Sequence, residues 1–454
     1  MSSLHLSDLA VATGGELFGD AEFTSISTDT RAIAKGDLFV ALSGDNFNGN
    51  RFVSAAANAG ASAALVDQPV ETEIPHLQVK DARIAFGELA KVNRRKFSGP
   101  LIALTGSAGK TTTKEMIASI LSQLAPVLST QGNFNNEIGV PKTLLNIAPE
   151  HRFAVIEMGA SKAGDIAYLT QFAEPSISIL TNAMAVHIEG FGSVEVVAKT
   201  KGEIFSCLPA SGTAVINLDD PFHAQWQQQA GDAAVIYFSQ SNSTADIYSS
   251  GITVTASGAS LFTLHSSIAN AVGQLEIKLP LLGRHNIANA LAAAAGAIAA
   301  GASLAQVKSG LESIQPVNGR LKSIPLNNQL LIDDSYNASP GSVKAAIDVL
   351  AGFSGDRCLV LGTMGELGAQ AEQGHLEVAA YACEKGIEHF FAVGEYAALM
   401  VGVFGGGLAY NDMAELLGDV EKIATVETVL VKGSRSARME RVVEALINNN
   451  GGQQ

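Results

Sequence analysis

The amino-acid sequence predicts an α/β protein built from three domains, and three observations indicate this fold class. The chain has 454 residues, whereas one domain usually holds about 100–200. Hydrophobic residues make up 47% of the chain and charged residues only 16%, which is typical of compact globular proteins. Short apolar runs of strand length alternate with stretches of helical periodicity, and this alternation indicates mostly parallel sheets covered by helices.

Residues 1–97 are predicted to form a small N-terminal α/β domain. The apolar run at 38–42 has the length of a strand, and a helical pattern follows at 52–59. The segment ends with four basic residues between Lys91 and Lys96, followed by a Gly-Pro break at 99–100. Polar stretches broken by Gly and Pro are typical of linkers, so we place the first domain boundary here.

Residues 98–316 are predicted to form a central domain around a mostly parallel sheet. A strand at Leu101–Thr105 precedes a helix over 111–124, and the alternating pattern at 252–281 predicts antiparallel strands at a sheet edge. The uncharged stretch 286–307 is rich in Ala and contains Asn, Gly, Ser and Gln. This composition favours a buried helix over a membrane span. Further strand-like runs lie at 153–156, 177–180 and 214–216.

Residues 317–454 are predicted to form a C-terminal Rossmann-like α/β domain. Helices are expected from about Pro340 and near 375–384, and no GxGxxG fingerprint is present. The predicted strands lie at 330–332, 358–361, 390–393 and 429–431.

The charge balance and the cysteines limit the classes of partner and compartment. The chain carries 29 Lys and Arg against 44 Asp and Glu, a net charge of −15, which argues against a nucleic-acid partner. Cys207, Cys358 and Cys383 are far apart in sequence and are interpreted as buried thiols in a reducing compartment. The start of the sequence lacks a basic segment followed by an apolar run, the pattern of a secretory signal. We expect a cytoplasmic, monomeric protein without a membrane span.

A glycine-rich turn joins the first strand of the central domain to its first helix. Its glycines let backbone N–H groups approach phosphate oxygens, and the following helix adds its positive end. A lysine and a threonine then supply a charge for the β- and γ-phosphates and a hydroxyl for Mg²⁺. Leu104 stands where the standard phosphate loop has Gly, but the context favours ATP binding over a turn that binds nothing. The turn reads Gly106-Ser107-Ala108-Gly109-Lys110-Thr111-Thr112.

Two residues at strand ends are candidate magnesium ligands. Glu157 and His187 each follow a predicted strand, and ligands of open α/β sheets bind outside the carboxyl ends of the strands. Either residue alone is more often structural, but the phosphate loop upstream favours a metal role. Lys199 and Lys201, by the composition of their segment, are typical of a solvated helix start, and nothing in their spacing indicates a modified lysine.

Together these motifs resemble the Mur ligase family of ATP-dependent amide ligases, over nearly the whole chain. The short GSAGKTT loop matches the family's shortened phosphate loop, which accounts for Leu104. Four stretches most resemble the branch that adds D-alanyl-D-alanine to a UDP-N-acetylmuramoyl-tripeptide. They are residues 28–31 with 36–42, 132–141, 198–205 and 334–340.

The resemblance implies cofactors and a set of site residues. ATP and two Mg²⁺ ions are the implied cofactors, with a carbamylated Lys201 at the second ion. The implied metal ligands are Thr111, Glu157, His187 and Lys201, and Lys110 and Arg320 complete the implied catalytic set. ATP is expected to contact residues 106–112, Asn286, Asn289, Arg320 and Asp334. The implied contacts of the muramyl peptide are Thr28, Thr30, Arg31, Asn133, Asn135, Asn136, Tyr336 and Asn337.

Three features leave the assignment of roles open. Ser339 and Thr363 replace the family's usual Asn and Asp in two motifs of the third domain. Lys432 and Arg435 follow the last predicted strand. They are interpreted either as part of a solvated basic face or as a seat for the carboxylate of the incoming dipeptide.

The resemblance implies a reaction in which ATP activates a carboxylate as an acyl phosphate, which the amine of D-alanyl-D-alanine then attacks. Two alternatives remain. One is another ligase of the superfamily, such as a folylpolyglutamate synthetase or a different muramyl-peptide ligase. The other is a P-loop kinase or NTPase that needs no amino-acid acceptor.

Overall fold

The computed structural model describes residues 3–44, 47–185, 188–255 and 258–451. They form three successive α/β units, each around one main sheet of five, nine or six strands. The predicted fold class is confirmed.

The first unit has a five-stranded sheet in the order β2-β9-β8-β5-β4, parallel except for β2. Its central strands are buried along their whole length, which explains their continuous apolar sequences. The strands are β1 (Leu4–His5), β2 (Glu16–Phe18), β3 (Glu22–Phe23), β4 (Ser25–Ser27), β5 (Asp37–Val40), β6 (Ser43–Gly44), β7 (Phe47–Asn48), β8 (Ala63–Val66) and β9 (His76–Gln78). The helices are α1 (Leu6–Thr13), α2 (Val53–Ala59) and α3 (Ala82–Arg95).

The middle unit has a nine-stranded sheet in the order β11-β12-β10-β13-β14-β15-β16-β17-β18. It is parallel up to β16 and antiparallel beyond, as the alternating pattern at 252–281 predicted. Its strands are β10 (Leu101–Thr105), β11 (Val127–Ser129), β12 (Phe153–Glu157), β13 (Ile177–Leu180), β14 (Thr213–Asn217), β15 (Ala234–Ser239), β16 (Ile247–Val254), β17 (Ala259–Ser266) and β18 (Gly273–Leu282). Its helices are α4 (Lys110–Leu121), α5 (Gly139–Leu145), α6 (Asp165–Ala173), α7 (Ile188–Phe191), α8 (Val194–Ser206), α9 (His223–Ala230), α10 (His285–Ala299) and α11 (Leu304–Glu312).

The alanine-rich stretch forms α10, which is buried against the sheet of the middle unit and against α4. Small side chains let this helix lie close to the neighbouring elements, because a larger residue at Gly296 would overlap Ile179 on β13. The helix ends at Ala299, and Ser303 caps the start of α11. Among the described residues no helix is long and apolar enough to cross a membrane.

The third unit has a six-stranded sheet in the order β19-β20-β24-β21-β22-β23, parallel except for β19. Its strands are β19 (Lys322–Pro325), β20 (Leu330–Asp334), β21 (Arg357–Gly362), β22 (His389–Val393), β23 (Leu408–Tyr410) and β24 (Thr428–Lys432). Its helices are α12 (Pro340–Ala351), α13 (Ala371–Glu384), α14 (Ala397–Phe404), α15 (Met413–Gly418), α16 (Val420–Ala424) and α17 (Glu440–Gly451).

The basic stretch expected to begin a linker is instead part of an interface. It ends α3, where Arg94 donates to the backbone oxygens of Ala173 and Glu174 and Arg95 pairs with the Glu174 carboxylate. Earlier in α3, Gly87 lies against the ring of Phe172 on α6. Basic side chains at a helix C-terminus find acceptors readily, so here they attach the first unit to the middle one.

Two of the three cysteines differ from the expectation of buried thiols. Only Cys358, on β21, is buried, whereas Cys207 and Cys383 are exposed at helix ends. Sequence spacing excludes a CxxC motif but carries no information on which face of a helix end meets solvent.

Candidate active site

A cavity of 710 Å³ lies between the middle and third units, at the carboxyl ends of the parallel strands β10, β12 and β13. Open α/β sheets bind ligands at this edge because the loops that follow the strands converge there. The predicted site residues that line it are Ser107, Ala108, Gly109, Lys110, Thr111, Thr112, Asn133, Asn135, Asn136, Glu157, Asn286, Asn289, Arg320, Asp334, Tyr336, Asn337 and Lys432.

The glycine-rich turn has the shape of a phosphate-binding loop. Gly109 has φ +82°, and a methyl group there would overlap the Asn289 carboxamide on α10. Only glycine satisfies both conditions. The Asn182 side chain accepts from the Ala108 N–H at 2.9 Å, which holds the loop in place. The N-terminus of α4 follows directly, so the turn presents backbone donors and a positive helix end.

Lys110 lies at the base of this loop and points back onto it. Its Nζ donates to the Gly106 carbonyl oxygen at 2.8 Å. Burial lowers the pKa of Lys110; the Glu157 carboxylate opposes the shift and Arg320 adds to it. An anionic ligand in the cavity opposes this lowering of the Lys110 pKa, because an opposite charge offsets the cost of desolvation.

Glu157 lies at the end of β12, in contact with the phosphate loop. Its carboxylate accepts from the Thr111 hydroxyl at 2.9 Å and from the Asn135 carboxamide at 2.8 Å. A carboxylate and a hydroxyl in contact are the hard oxygen donors that suit Mg²⁺, so the donor set fits the implied metal. Thr111 and Glu157 are 46 positions apart in the sequence. The parallel pairing of β10 with β12 brings them together.

Lys201 is almost completely buried on α8, where a solvated helix start was the alternative interpretation. Its Nζ lies 6.0 Å from the centre of the Phe191 ring. Burial lowers the pKa of Lys201 far below its ordinary value, and the charge of Lys110 adds to the shift. It does not line the cavity, and His187 lies outside the described residues. Over the described ranges, no cluster of three or more His, Cys, Asp or Glu side chains could hold a metal.

The third unit contributes a stacked arginine and a buried ion pair. The Arg320 guanidinium lies 4.3 Å from the centre of the Tyr336 ring, which fixes its direction within the cavity. Lys432 donates to Asp334 at 2.6 Å and to the Asn337 carbonyl oxygen at 2.8 Å. Lys432 was expected to contact the dipeptide and Asp334 to contact ATP, but here the two side chains neutralise each other's charge.

The asparagines of α10 bond to each other and to the strand before the helix. Asn289 donates to Asn286 at 2.8 Å, and Asn286 donates to the Leu282 carbonyl oxygen at 2.7 Å. Both are buried, and Asn289 borders the phosphate loop at Gly109. His285, the residue before them, also lines the cavity, and burial followed by the charge of Lys432 lowers its pKa to about 4.

Six of the predicted site residues that the structure describes do not line the cavity, and two of them, Gly106 and Lys201, belong to the middle unit. Thr28, Thr30 and Arg31 belong to the first unit, where Arg31 pairs with Asp29 and keeps 88% of its side chain exposed. Arg435 is exposed and pairs with Glu440. It lies in a short 3-10 helix rather than in α17, which begins only at Glu440.

Sequence reasoning missed several cavity residues. Thr181 and Asn182 follow β13 and bond to the phosphate loop, Tyr168 lies on α6, and Glu366 lines the third-unit wall with φ +62°. Thr181 and Asn182 could have been found by the strand-end argument that singled out Glu157. Glu366 belongs to the third-domain motif in which Thr363 departs from the family pattern, although no role was assigned to it, and nothing in the local pattern marks Tyr168.

Comparison with known proteins identifies the class of protein. Sequence models of the Mur ligase family match three parts of the chain: its catalytic domain at residues 22–97, its middle domain at 104–297 and its glutamate ligase domain at 319–435. The chain belongs to the Mur ligase family.

Two similar sequences carry the same name. The chain is 45% identical to UDP-N-acetylmuramoyl-tripeptide–D-alanyl-D-alanine ligase of Escherichia coli, over 99% of both chains, and 40% identical to that of Haemophilus influenzae, over 98% of this chain and 99% of the relative. Among solved structures, MurF from Acinetobacter baumannii matches with a TM-score of 0.92 and 35% identity, covering 97% of this chain and 98% of that one. MurF from Thermotoga maritima in complex with ADP matches with a TM-score of 0.84 and 25% identity, over 95% and 98%.

Proposed function

We propose that this Mur ligase joins D-alanyl-D-alanine to UDP-N-acetylmuramoyl-tripeptide and converts ATP to ADP and phosphate. The observation that carries the proposal is the 45% identity over 99% of both chains with a relative of that name. The cavity supports it, because a phosphate loop, a strand-end carboxylate and a third-unit arginine all meet there.

The reaction has two steps. An oxygen of the tripeptide's terminal carboxylate attacks the γ-phosphorus of ATP, which forms an acyl phosphate and releases ADP. The dipeptide's amine nitrogen then attacks the carbonyl carbon; the C–O bond to phosphate breaks, and the amine loses a proton as the amide forms. ATP and the carboxylate repel each other, so the positive groups Lys110 and Arg320 hold them close enough to react.

Mg²⁺ supplies charge neutralisation on the phosphates when it is bound. We infer that Thr111 and Glu157 hold one ion, because their oxygens already meet at 2.9 Å. The further ligands His187 and Lys201 are proposed for a second ion. The backbone donors of residues 106–112 would hold the phosphates, while Asn286 and Asn289 would border the adenine side.

We propose that Lys201 carries a carbamate. An amine must be neutral to add to CO₂, and burial already favours the neutral amine of Lys201. Mass spectrometry of the intact protein under CO₂ should show one added carbamate that Lys201→Ala abolishes. Activity of Lys201→Ala restored by a short carboxylate such as acetate would also support it. An unmodified lysine in fully active enzyme contradicts it.

The muramyl peptide and the dipeptide are proposed to contact two different sets of residues. Thr28, Thr30 and Arg31 of the first unit and Asn133, Asn135 and Asn136 of the middle unit would contact the muramyl peptide. Tyr336 and Asn337 would complete its site. Because Lys432 is paired with Asp334, it can receive the dipeptide's carboxylate only if that ion pair opens, whereas Arg435 pairs at the surface.

The enzyme is proposed to act in the cytoplasm as a monomer. The three cysteines are free thiols, which is typical of a reducing compartment. Analytical ultracentrifugation at micromolar concentration should give the mass of one 47.0 kDa chain. A concentration-independent dimer contradicts the monomer.

The experiment that tests the function measures phosphate release with UDP-N-acetylmuramoyl-tripeptide and one amine at a time. D-alanyl-D-alanine should support release, whereas L-alanyl-L-alanine, D-glutamate and no amine should not. Mass spectrometry should then show a pentapeptide product. Release that does not depend on the amine indicates an NTPase, and release with glutamate and a folate acceptor indicates a folylpolyglutamate synthetase.

A further inference from the structure

Lys114, on the second turn of α4, is a buried charge that none of the proposed steps uses. Its side chain is 2% exposed, and it pairs with Glu115 at 2.7 Å. Its Nζ also donates to the Thr130 carbonyl oxygen at 2.5 Å. An apolar side chain of similar length would fill this position at lower cost, because desolvating an ammonium often outweighs the attraction of its partner. The charge therefore calls for an explanation other than stability.

Thr130 is the residue to which Lys114 is attached, and it lies directly after β11. It is fully buried. Its backbone N–H donates to the Val155 carbonyl oxygen at 3.0 Å. Its hydroxyl accepts from the Glu157 N–H at 2.9 Å. Thr130 is thus fixed to α4 by its carbonyl group and to β12 by its N–H and its hydroxyl.

The hydroxyl of Thr130 takes the place of a backbone hydrogen-bond acceptor beyond the end of β11. β11 pairs with β12 only as far as Ser129 and Val155, so on this side the Glu157 N–H has no further backbone acceptor. Buried N–H groups need a partner, and here a side chain supplies it. The backbone of Glu157 is therefore held where its carboxylate meets Thr111 and Asn135.

Lys114 connects this support to the phosphate loop. Thr111 and Lys114 are three positions apart on α4 and so lie on neighbouring parts of one helix face. Thr111 contacts the Glu157 carboxylate, while Lys114 contacts the residue that holds the Glu157 backbone. The two contacts fix the first turns of α4 against the end of β12 at two points.

We propose that Lys114 and Thr130 act together as positioning residues. They set the distance between the Glu157 carboxylate and the Thr111 hydroxyl. This inference rests on the proposed function only in treating those two oxygens as magnesium ligands. Mg²⁺ requires a nearly ideal octahedron, so a small displacement of one ligand lowers its affinity. Loss of a group that orients a metal ligand typically weakens metal binding about 10–100-fold.

The test compares two buried threonines of the same region. Thr130→Val removes the hydroxyl that holds Glu157, and Thr130→Ser keeps it. Thr113→Val is the matched control, since Thr113 is equally buried and its hydroxyl has no partner among the described residues. Binding of Mn²⁺ to the full-length protein with a non-hydrolysable ATP analogue is measured by electron paramagnetic resonance, and binding of the analogue alone by calorimetry in EDTA.

Thr130→Val should weaken Mn²⁺ binding about 10-fold or more, while binding of the analogue in EDTA stays unchanged. Thr130→Ser and Thr113→Val should both bind Mn²⁺ like the unaltered protein. Lys114→Met is the second variant, because Met fills the same space without the charge. It should also weaken Mn²⁺ binding while keeping or raising the melting temperature, a combination that a merely structural lysine does not give.

Mn²⁺ binding of unaltered strength in either Thr130→Val or Lys114→Met overturns the proposal. Equal losses of Mn²⁺ and of metal-free analogue binding overturn it as well, because they indicate a general disturbance of the phosphate loop. These measurements involve no ligase turnover. If Thr130→Val and Lys114→Met weaken Mn²⁺ binding but the unaltered protein lacks ligase activity, the proposed function is wrong and the positioning role still holds.

Discussion

Lys110 and Lys201 are two lysines of the same site whose charges disfavour each other. Burial lowers the pKa of both, and Lys110 lowers that of Lys201 further. Such groups destabilise the empty protein and become favourable once phosphates, metal or a carbamate supply negative charge. At the scale of single residues, part of the stability is given up for ligand binding.

Lys110→Ala should reduce ligase turnover by about 10³-fold or more, because it removes a cation from the transferring phosphoryl group. The fold should remain, since the Lys110 Nζ donates to the Gly106 carbonyl oxygen within the same loop rather than joining two elements of the fold. Phosphate release and circular dichroism measure the two effects. Lys422→Ala, which alters a surface pair with Asp419, is the control. Phosphate release by Lys110→Ala at the rate of that control contradicts the assignment.

Lys201→Met should raise the melting temperature of the ligand-free, CO₂-free protein at pH 7. The folded state disfavours the proton on Lys201, whereas the unfolded chain keeps it up to the ordinary pKa of 10.5. Stability of the unaltered protein therefore rises with pH, since the unfolded state binds more protons. Each pKa unit corresponds to about 1.4 kcal/mol.

The advantage of Lys201→Met should shrink as the pH rises from 7 towards 10, measured by calorimetry across that range. Lys199→Met on the same helix, whose side chain is exposed, is the control and should show no such trend. A constant difference between Lys201→Met and the unaltered protein contradicts neutral burial.

Among the elements, α4 determines the geometry of the site because it carries Thr111 at its start and packs against α10 and α11 farther along. The contact with α11 is close. Ser119 donates to the Gly310 carbonyl oxygen at 2.7 Å, and a methyl group at Gly310 would overlap the backbone of Ile120. A shift of α11 therefore shifts the helix that follows the phosphate loop.

Gly310→Ala should destabilise the protein by about 1–3 kcal/mol through overpacking and weaken nucleotide binding. Gly402→Ala provides the matched control, because Gly402 also lies within a helix but a methyl group added there would have open space around it. That change should stabilise α14 by about 0.5–1 kcal/mol, the usual preference of a helix for Ala over Gly. Chemical denaturation measures both. Equal effects of the two substitutions refute the close packing of α4 and α11.

Across the whole molecule, the cavity belongs to two units and needs both. Lys110 and Glu157 come from the middle unit, and Arg320 and Tyr336 come from the third. The net charge of −15 repels ligands that are themselves anionic, so the cations are concentrated where those ligands bind. Such a divided site can be completed by domain closure.

Small-angle scattering should show a smaller radius of gyration with a non-hydrolysable ATP analogue, Mg²⁺ and UDP-N-acetylmuramoyl-tripeptide than without ligands. The ligands carry negative charge to both walls of the cavity and draw the units together. Arg320→Ala removes one of the attracting groups and should reduce the change. A radius that is the same with and without ligands contradicts closure.

The alternation of strands and helices, the phosphate loop at 106–112 and the strand-end position of Glu157 could be predicted from the sequence. These features depend on local periodicity and on residues adjacent in the chain. The sequence could not predict that Asn135 and Thr111 meet at Glu157, that the Thr130 hydroxyl bonds to the Glu157 N–H beyond the end of β11, or that Lys432 pairs with Asp334. Those contacts join residues 22 to 98 positions apart. They depend on the order and register of the strands, which the period of one segment does not encode.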